Sequence, residues 1–144
     1  MIKNSIPFWE DAYKDKDAVA FSSEPNPTLK EFEHLINKSS QIIDVGCGEG
    51  QNAFYLAKNG YCNVTAFDLS ENAVVKLNQK CASEKVRVNA FTADLRTFRF
   101  ERKYDLVMSF GTLHFVHKAD WKAFINSAKE HTCPGGIHIM QIFT

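Results

Sequence analysis

Residues 42–50 read Ile-Ile-Asp-Val-Gly-Cys-Gly-Glu-Gly, an apolar run that enters three glycines at alternate positions, Gly46, Gly48 and Gly50. Such a run predicts a buried strand, a tight loop and the start of a helix, because glycine admits positive φ and lets backbone approach a ligand more closely than a Cβ allows. The helix start presents unpaired N–H groups, so the unit reads as a nucleotide-binding turn. Asp44 stands two residues ahead of Gly46. A carboxylate there repels phosphate and attracts ammonium, which favours a nucleoside carrying an amino-acid end over a dinucleotide pyrophosphate.

A second strand is predicted over residues 64–68, Val-Thr-Ala-Phe-Asp, and ends in Asp68, a carboxylate about 20 residues beyond the glycine loop, where such an acid binds ribose hydroxyls. The dehydrogenase fingerprint shares that acid but wants a third glycine or alanine where this chain has Gln51. Together with the Ala93-Asp94-Leu95 step and the Pro134-Gly135-Gly136 turn, these residues make the chain resemble the class I S-adenosylmethionine-dependent methyltransferases over nearly its whole length. The layout, the Phe8-Trp9-Glu10-Asp11-Ala12-Tyr13-Lys14 start and the Asn59-Gly60-Tyr61 turn are most similar to the tellurite-resistance and thiopurine small-molecule branch.

The resemblance implies S-adenosylmethionine as cofactor and gives the residues roles. Asp44 and the loop residues Gly46, Cys47, Gly48 and Gly50 would hold the amino-acid end, and Asp68 the ribose diol. Asp94, after Ala93, would accept from the adenine amino group, with Leu69 and Leu95 on either side of the ring. Ser109 opens the segment beside the transferable methyl, and Trp9 and Tyr13 would close over the donor as a lid. His114 is the candidate catalytic residue, a base or polar clamp with a side chain that titrates near neutrality. The competing readings are a packing histidine for His114 and, for the aromatics at the N-terminus, a hydrophobic pin for a terminal helix. Cys47 stands near a helix N-terminus, where a thiol can be acidified, although its small size alone accounts for it there.

The remaining pattern predicts an α/β fold with a doubly wound, mostly parallel sheet. Thr28 and Glu31 form a capping-box pattern ahead of Leu29, Phe32, Leu35 and Ile36. Gly60 suits a helix C-terminus, Ser70 an N-cap, and Val86, Val88 and Ala90 alternate as a strand. A nearly continuous apolar run over 104–110 predicts a strand covered on both faces, and the Pro-Gly-Gly turn is expected to lead into a last strand over 137–143. The expected organisation is a single domain, 1–144, with a lid segment over 1–27 and a donor-binding core over 28–144. Strands six and seven of the family sheet are missing from the pattern, which would leave the fifth strand as an edge open to homodimer pairing.

The chain has 17 Lys+Arg against 17 Asp+Glu, so no global field recruits nucleic acid or an anionic membrane, and no segment reaches the roughly 18 apolar residues of a span. The first residues lack a secretory pattern, and Cys47, Cys62, Cys81 and Cys133 form no C-x-x-C pair, which together predict a cytoplasmic protein with reduced thiols and no metal site. A small-molecule methyl acceptor is expected, including soft nucleophiles such as tellurite, selenite or a thiol. The alternatives are a donor-binding but catalytically silent domain or partner subunit, and an NAD(P)-dependent oxidoreductase on the related fold.

Overall fold

The computed structural model describes residues 5–143. Five strands lie side by side in the order β3-β2-β1-β4-β5, all parallel. They are β1 (Ile42–Val45), β2 (Val64–Asp68), β3 (Asn89–Thr92), β4 (Tyr104–Phe110) and β5 (Thr132–Gln141). Five helices accompany them: α1 (Ser5–Ala12), α2 (Pro27–Phe32), α3 (Gln51–Lys58), α4 (Glu71–Glu84) and α5 (Lys118–Glu130). Every residue of the central β1 is buried, as a parallel strand covered on both faces requires.

Alternation along the strands divides the interior in two. Ile42, Leu106 and Met108 pack beneath Leu29, Leu56 and Leu77 of α2, α3 and α4. On the other face Ile43, Val45 and Val107 meet Phe124 and Ala128 of α5. No helix joins β3 to β4, and aromatic rings cover that stretch instead: Phe98 stacks on Phe67 at 4.4 Å between centroids and meets Phe100 edge-on at 5.1 Å.

The helix ends follow local chemistry. Ser70 caps α4 by accepting from Ala73 N–H at 3.1 Å. Gly60, at φ 89°, closes α3 as Tyr61 N–H reaches Leu56 O at 3.1 Å and Gly60 N–H reaches Ala57 O at 3.2 Å. The start of α2 differs from the expected capping box. Pro27 occupies the first turn, where its missing N–H costs nothing, and Asn26 Oδ1 accepts from Thr28 N–H at 2.9 Å, so Asn26 is the cap and Thr28 lies inside the helix.

Two strands also differ in extent. Val86 N–H is drawn back to Cys81 O at 3.0 Å while Lys85 takes φ 57°, so Val86 finishes α4 and β3 begins only at Asn89. In β5, Thr132 pairs with Tyr104 and Ile137 with Leu106, so Pro134-Gly135-Gly136 forms an irregularity within the strand rather than a turn leading into it. A Cβ on Gly136 would stand 2.9 Å from Cys133 O and 3.1 Å from Asp105 O. The strand ends at Gln141, short of the expected 143. Thr144, on which the expected open edge was drawn, and residues 1–4 of the lid segment lie outside the described residues.

Candidate functional site

The carboxyl ends of β1, β2 and β4 converge on a cavity of about 370 Å³. Asp44, Gly46, Cys47, Gly48 and Asp68 line it at the centre, and Leu69, Ala93, Asp94 and Leu95 at the β2/β3 end. Trp9 and Tyr13 cover it from the N-terminal segment. Gly50, Ser109 and His114, expected in the same site, are not among its lining residues.

Each absence has a cause. A Cβ on Gly50 would meet Leu77 Cδ1 at 2.4 Å, so the packing of α4 by itself requires a glycine here. Ser109 is fully buried, and its hydroxyl donates to Val45 O at 3.0 Å, tying β4 to β1. His114 packs between two lining rings, Phe115 with centroids 4.1 Å apart and Phe143 at 5.3 Å, and its buried Nδ1 has no hydrogen-bond partner among the described residues. His114→Ala is therefore expected to alter S-adenosylhomocysteine affinity less than about threefold, and its turnover should retain the wild-type pH profile. A lost alkaline or acidic limb would restore it as the base.

The other two glycines are required by the protein's own packing. Gly46, at φ 69°, lies under Thr112, whose Oγ1 would be 2.2 Å from a Cβ, and Gly48, at φ 57°, lies under the Tyr13 hydroxyl at 2.8 Å from one. The loop and the N-terminal segment thus touch directly. Burial, with Asp68 and Glu49 adding repulsion, pushes the Tyr13 phenol well above its ordinary range, so it stays a neutral O–H. The Cys47 thiol is pushed up as well, first by burial and then by Asp44 and Asp68, the opposite of an acidified nucleophile.

Asp44 is 1% exposed, and neither carboxylate oxygen has a hydrogen-bond partner. Burial, reinforced by Asp68, raises its pKa to about 7, while the nearby Ala53 N–H opposes the shift without meeting hydrogen-bond geometry. A buried carboxylate left unpaired is costly, and a cationic ligand group is what would offset it. Asp68 is better supported: Oδ2 accepts from Gly48 N–H at 2.8 Å and Oδ1 from Ser70 N–H at 2.9 Å. Burial still raises its pKa against those bonds. A carboxylate has about four lone-pair positions, so two remain for a diol. Asp94 is held below its usual range by Arg96, whose Nε and Nη2 reach its oxygens at 3.0 and 2.6 Å.

The N-terminal segment is tied down by acids that sequence reasoning missed. Glu10 on α1 accepts from the Ser70 hydroxyl and from Asn72 N–H, the latter at 3.1 Å, at the start of α4. Glu49 accepts from Ala20 N–H at 2.8 Å and pairs with Lys76 at 2.7 Å, with both side chains largely buried. Phe21, Asn26, Asn52 and Gln141 also line the cavity. No local pattern marks them, since Asn26 and Gln141 are bonded across 115 positions. Among the described residues no three His, Cys, Asp or Glu come together to hold a metal ion, and no helix is long and apolar enough to cross a membrane.

A family model described as a methyltransferase domain matches residues 42–136. The probable S-adenosyl-L-methionine-dependent methyltransferase TehB of Haemophilus influenzae is 30% identical over 100 residues, covering 69% of this chain. This chain spans only 35% of that relative's length. The crystal structure of TehB from Haemophilus influenzae is similar with a TM-score of 0.76 at 26% identity, covering 92% of this chain and 44% of that one. A solved structure concerned with conversion of a disulfide bond into a thioacetal group during echinomycin biosynthesis matches at 28% identity and a TM-score of 0.71, over 81% of this chain and 48% of its own. Since the family match takes in the glycine loop and four of the five strands in full, the chain belongs to the methyltransferase domain family, the S-adenosylmethionine-dependent class.

Proposed function

We propose that this chain binds S-adenosylmethionine and transfers its methyl group to a small-molecule acceptor. The observation that carries this reading is Asp44, a buried carboxylate without a partner, beside Asp68 in one cavity. Asp44 would pair with the ammonium group, Asp68 would accept from the ribose diol, and Leu69 and Leu95 would flank the adenine. Asp94 already accepts from Arg96 N–H, Nε and Nη2, which leaves about one lone-pair position for the adenine amino group. When bound, the donor supplies an electrophilic methyl on a sulfonium. The residues of this chain orient the two partners and exclude water, which suffices for an in-line displacement. Trp9, Tyr13 and Phe21 form the cover, with Trp9 also edge-on to Phe115 at 5.1 Å.

The acceptor we favour is a soft nucleophile, the class anticipated from the tellurite-resistance branch, and the sulfur chemistry of the echinomycin relative supports it. A cytoplasmic setting fits the four free cysteines. Residues 1–27 would serve as the lid and 28–144 as the core. The outer edge of β5 has no strand partner among the described residues and is open to pairing with a second copy.

Calorimetry with S-adenosylhomocysteine and, separately, NADH tests the donor assignment. One-to-one binding of the first and none of the second is expected, with a melting temperature that rises with ligand concentration. NADH binding alone would replace this reading with an oxidoreductase. Binding without turnover on any acceptor would leave a silent donor-binding domain.

A further inference from the structure

Three amides connect the lid, α3 and β5 at the edge of the cavity, and their orientation follows from the backbone. Asn26 N–H must donate, and it does so to Asn52 Oδ1 at 2.7 Å. Thr28 N–H takes Asn26 Oδ1 at 2.9 Å. Asn26 Nδ2 is thereby turned outward and donates to Gln141 Oε1 at 2.7 Å. All three amide oxygens are committed. Among the described residues nothing engages Gln141 Nε2 or Asn52 Nδ2, and both residues line the cavity. An amide orientation is assigned from its network, and here two backbone donors leave no second choice.

Gln141 lies opposite Phe110 in the β4–β5 ladder, and Gly111 N–H bonds its carbonyl at 2.8 Å. This is the end of the sheet away from Asp68 and Asp94, with Phe110 and Phe143 among its lining residues. The charge balance is one-sided. Asp44, Glu49, Asp68 and Asp94 line the cavity, and Arg96, the one lining cation among the described residues, is bound to Asp94. An anionic acceptor would lose its hydration to apolar walls and find no counterion from the protein.

Resting on the donor assignment above, we propose that the acceptor is an uncharged thiol bearing a hydrogen-bond-accepting atom near its sulfur, read by the Gln141 and Asn52 amide N–H groups, and not an oxyanion. The thiol sulfur forms the new bond to the methyl carbon as the sulfonium–methyl bond breaks. The electron pair of that bond stays on the donor's sulfur, and the proton carried by the methylated sulfur passes to bulk water as the product leaves the cavity. No histidine is among the lining residues, and this step needs none. Asn26 is a positioning residue that sets the polarity of both amides.

Three small thiols separate charge from hydrogen bonding: 2-mercaptoethanol is neutral with an acceptor oxygen, mercaptoacetate is anionic at nearly the same size, and ethanethiol has no oxygen. Methyl transfer to each, and to selenite and tellurite, is measured with labelled donor on the full chain. The expected kcat/KM for 2-mercaptoethanol exceeds that for mercaptoacetate and both oxyanions by at least about tenfold, and that for ethanethiol by about three- to tenfold. Gln141→Leu should bring the last ratio towards one, a readout that a general loss of activity does not move. Val116→Lys, which adds a cation to the apolar wall, should raise mercaptoacetate relative to 2-mercaptoethanol. Equal or better use of mercaptoacetate, selenite or tellurite overturns the proposal, and the wild-type ratios decide this even if the variants fail to fold. Bound S-adenosylhomocysteine with no thiol methylated also overturns it, whereas failure to bind S-adenosylhomocysteine overturns the donor assignment.

Discussion

Asp68→Ala is expected to weaken S-adenosylhomocysteine binding by about ten- to a hundredfold, the loss of a charge-assisted hydrogen-bond acceptor worth roughly 1.5–3 kcal/mol. Two effects combine. The ribose diol loses its acceptor, and Gly48 N–H and Ser70 N–H lose theirs, so the glycine loop and the start of α4 are freed together. Asp68→Asn separates the two, because its one carbonyl oxygen can keep a backbone bond but cannot serve both sides. Calorimetry should rank the wild type above the asparagine variant and that variant above the alanine one. Equal affinity in all three would remove Asp68 from the ribose site and leave it a loop brace.

Asp44→Asn is expected to change both stability and donor binding, with opposite signs. The Asp44 pKa is raised to about 7 in the fold, against an ordinary carboxylate value near 4 in the unfolded chain. Between those values the folded state holds the extra proton, so stability falls as pH rises through the window, and the full penalty is present above pH 7. That penalty is about 2–4 kcal/mol. The amide introduced by the substitution cannot ionise, so urea titrations should show the wild type losing stability between pH 4 and 7 relative to the variant. The Asp68 contribution runs in the same direction but is present in both proteins and largely cancels. Binding moves the other way: a ligand ammonium needs the carboxylate ionised. Affinity in the wild type should rise about tenfold per pH unit below 7 and level off above it, and the variant should bind weakly at every pH. A wild-type affinity independent of pH would separate Asp44 from the ammonium group.

The two acids were legible before any coordinates because strand endings are local. Asp44 stands one residue before the end of β1 and Asp68 ends β2, and in a parallel sheet the carboxyl ends of neighbouring strands face the same side. The Ser70 cap and the Gly60 terminus were legible for the same reason, since each rests on bonds within five residues. Where two local signals competed, the stronger geometry won. Pro27 and Asn26 displaced the Thr28–Glu31 box because a proline at the first helical position places the preceding side chain over the open N–H groups.

His114, Ser109 and Gly50 illustrate what spacing cannot reveal. All three stand within a few positions of cavity residues, yet one side chain packs on the lining ring of Phe115, one bonds to a neighbouring strand, and one glycine admits a leucine from α4. The direction of a side chain after a strand ends depends on how the next segment turns, which is set by contacts distant in the chain. The Asn26–Asn52–Gln141 amides and the Glu49–Lys76 pair are of the same kind, joining residues 26, 115 and 27 positions apart.

Residue order alone was enough for the parallel α/β sheet, the glycine loop and the two acids that come to line one cavity, because periodicity, turn chemistry and strand endings act over a few residues. Folding in three dimensions was needed to establish which side chains face the cavity, which amide hydrogens remain free in it, and that its one lining guanidinium among the described residues is already paired. Those properties depend on burial and on partners brought together by the fold, and neither is encoded in local spacing.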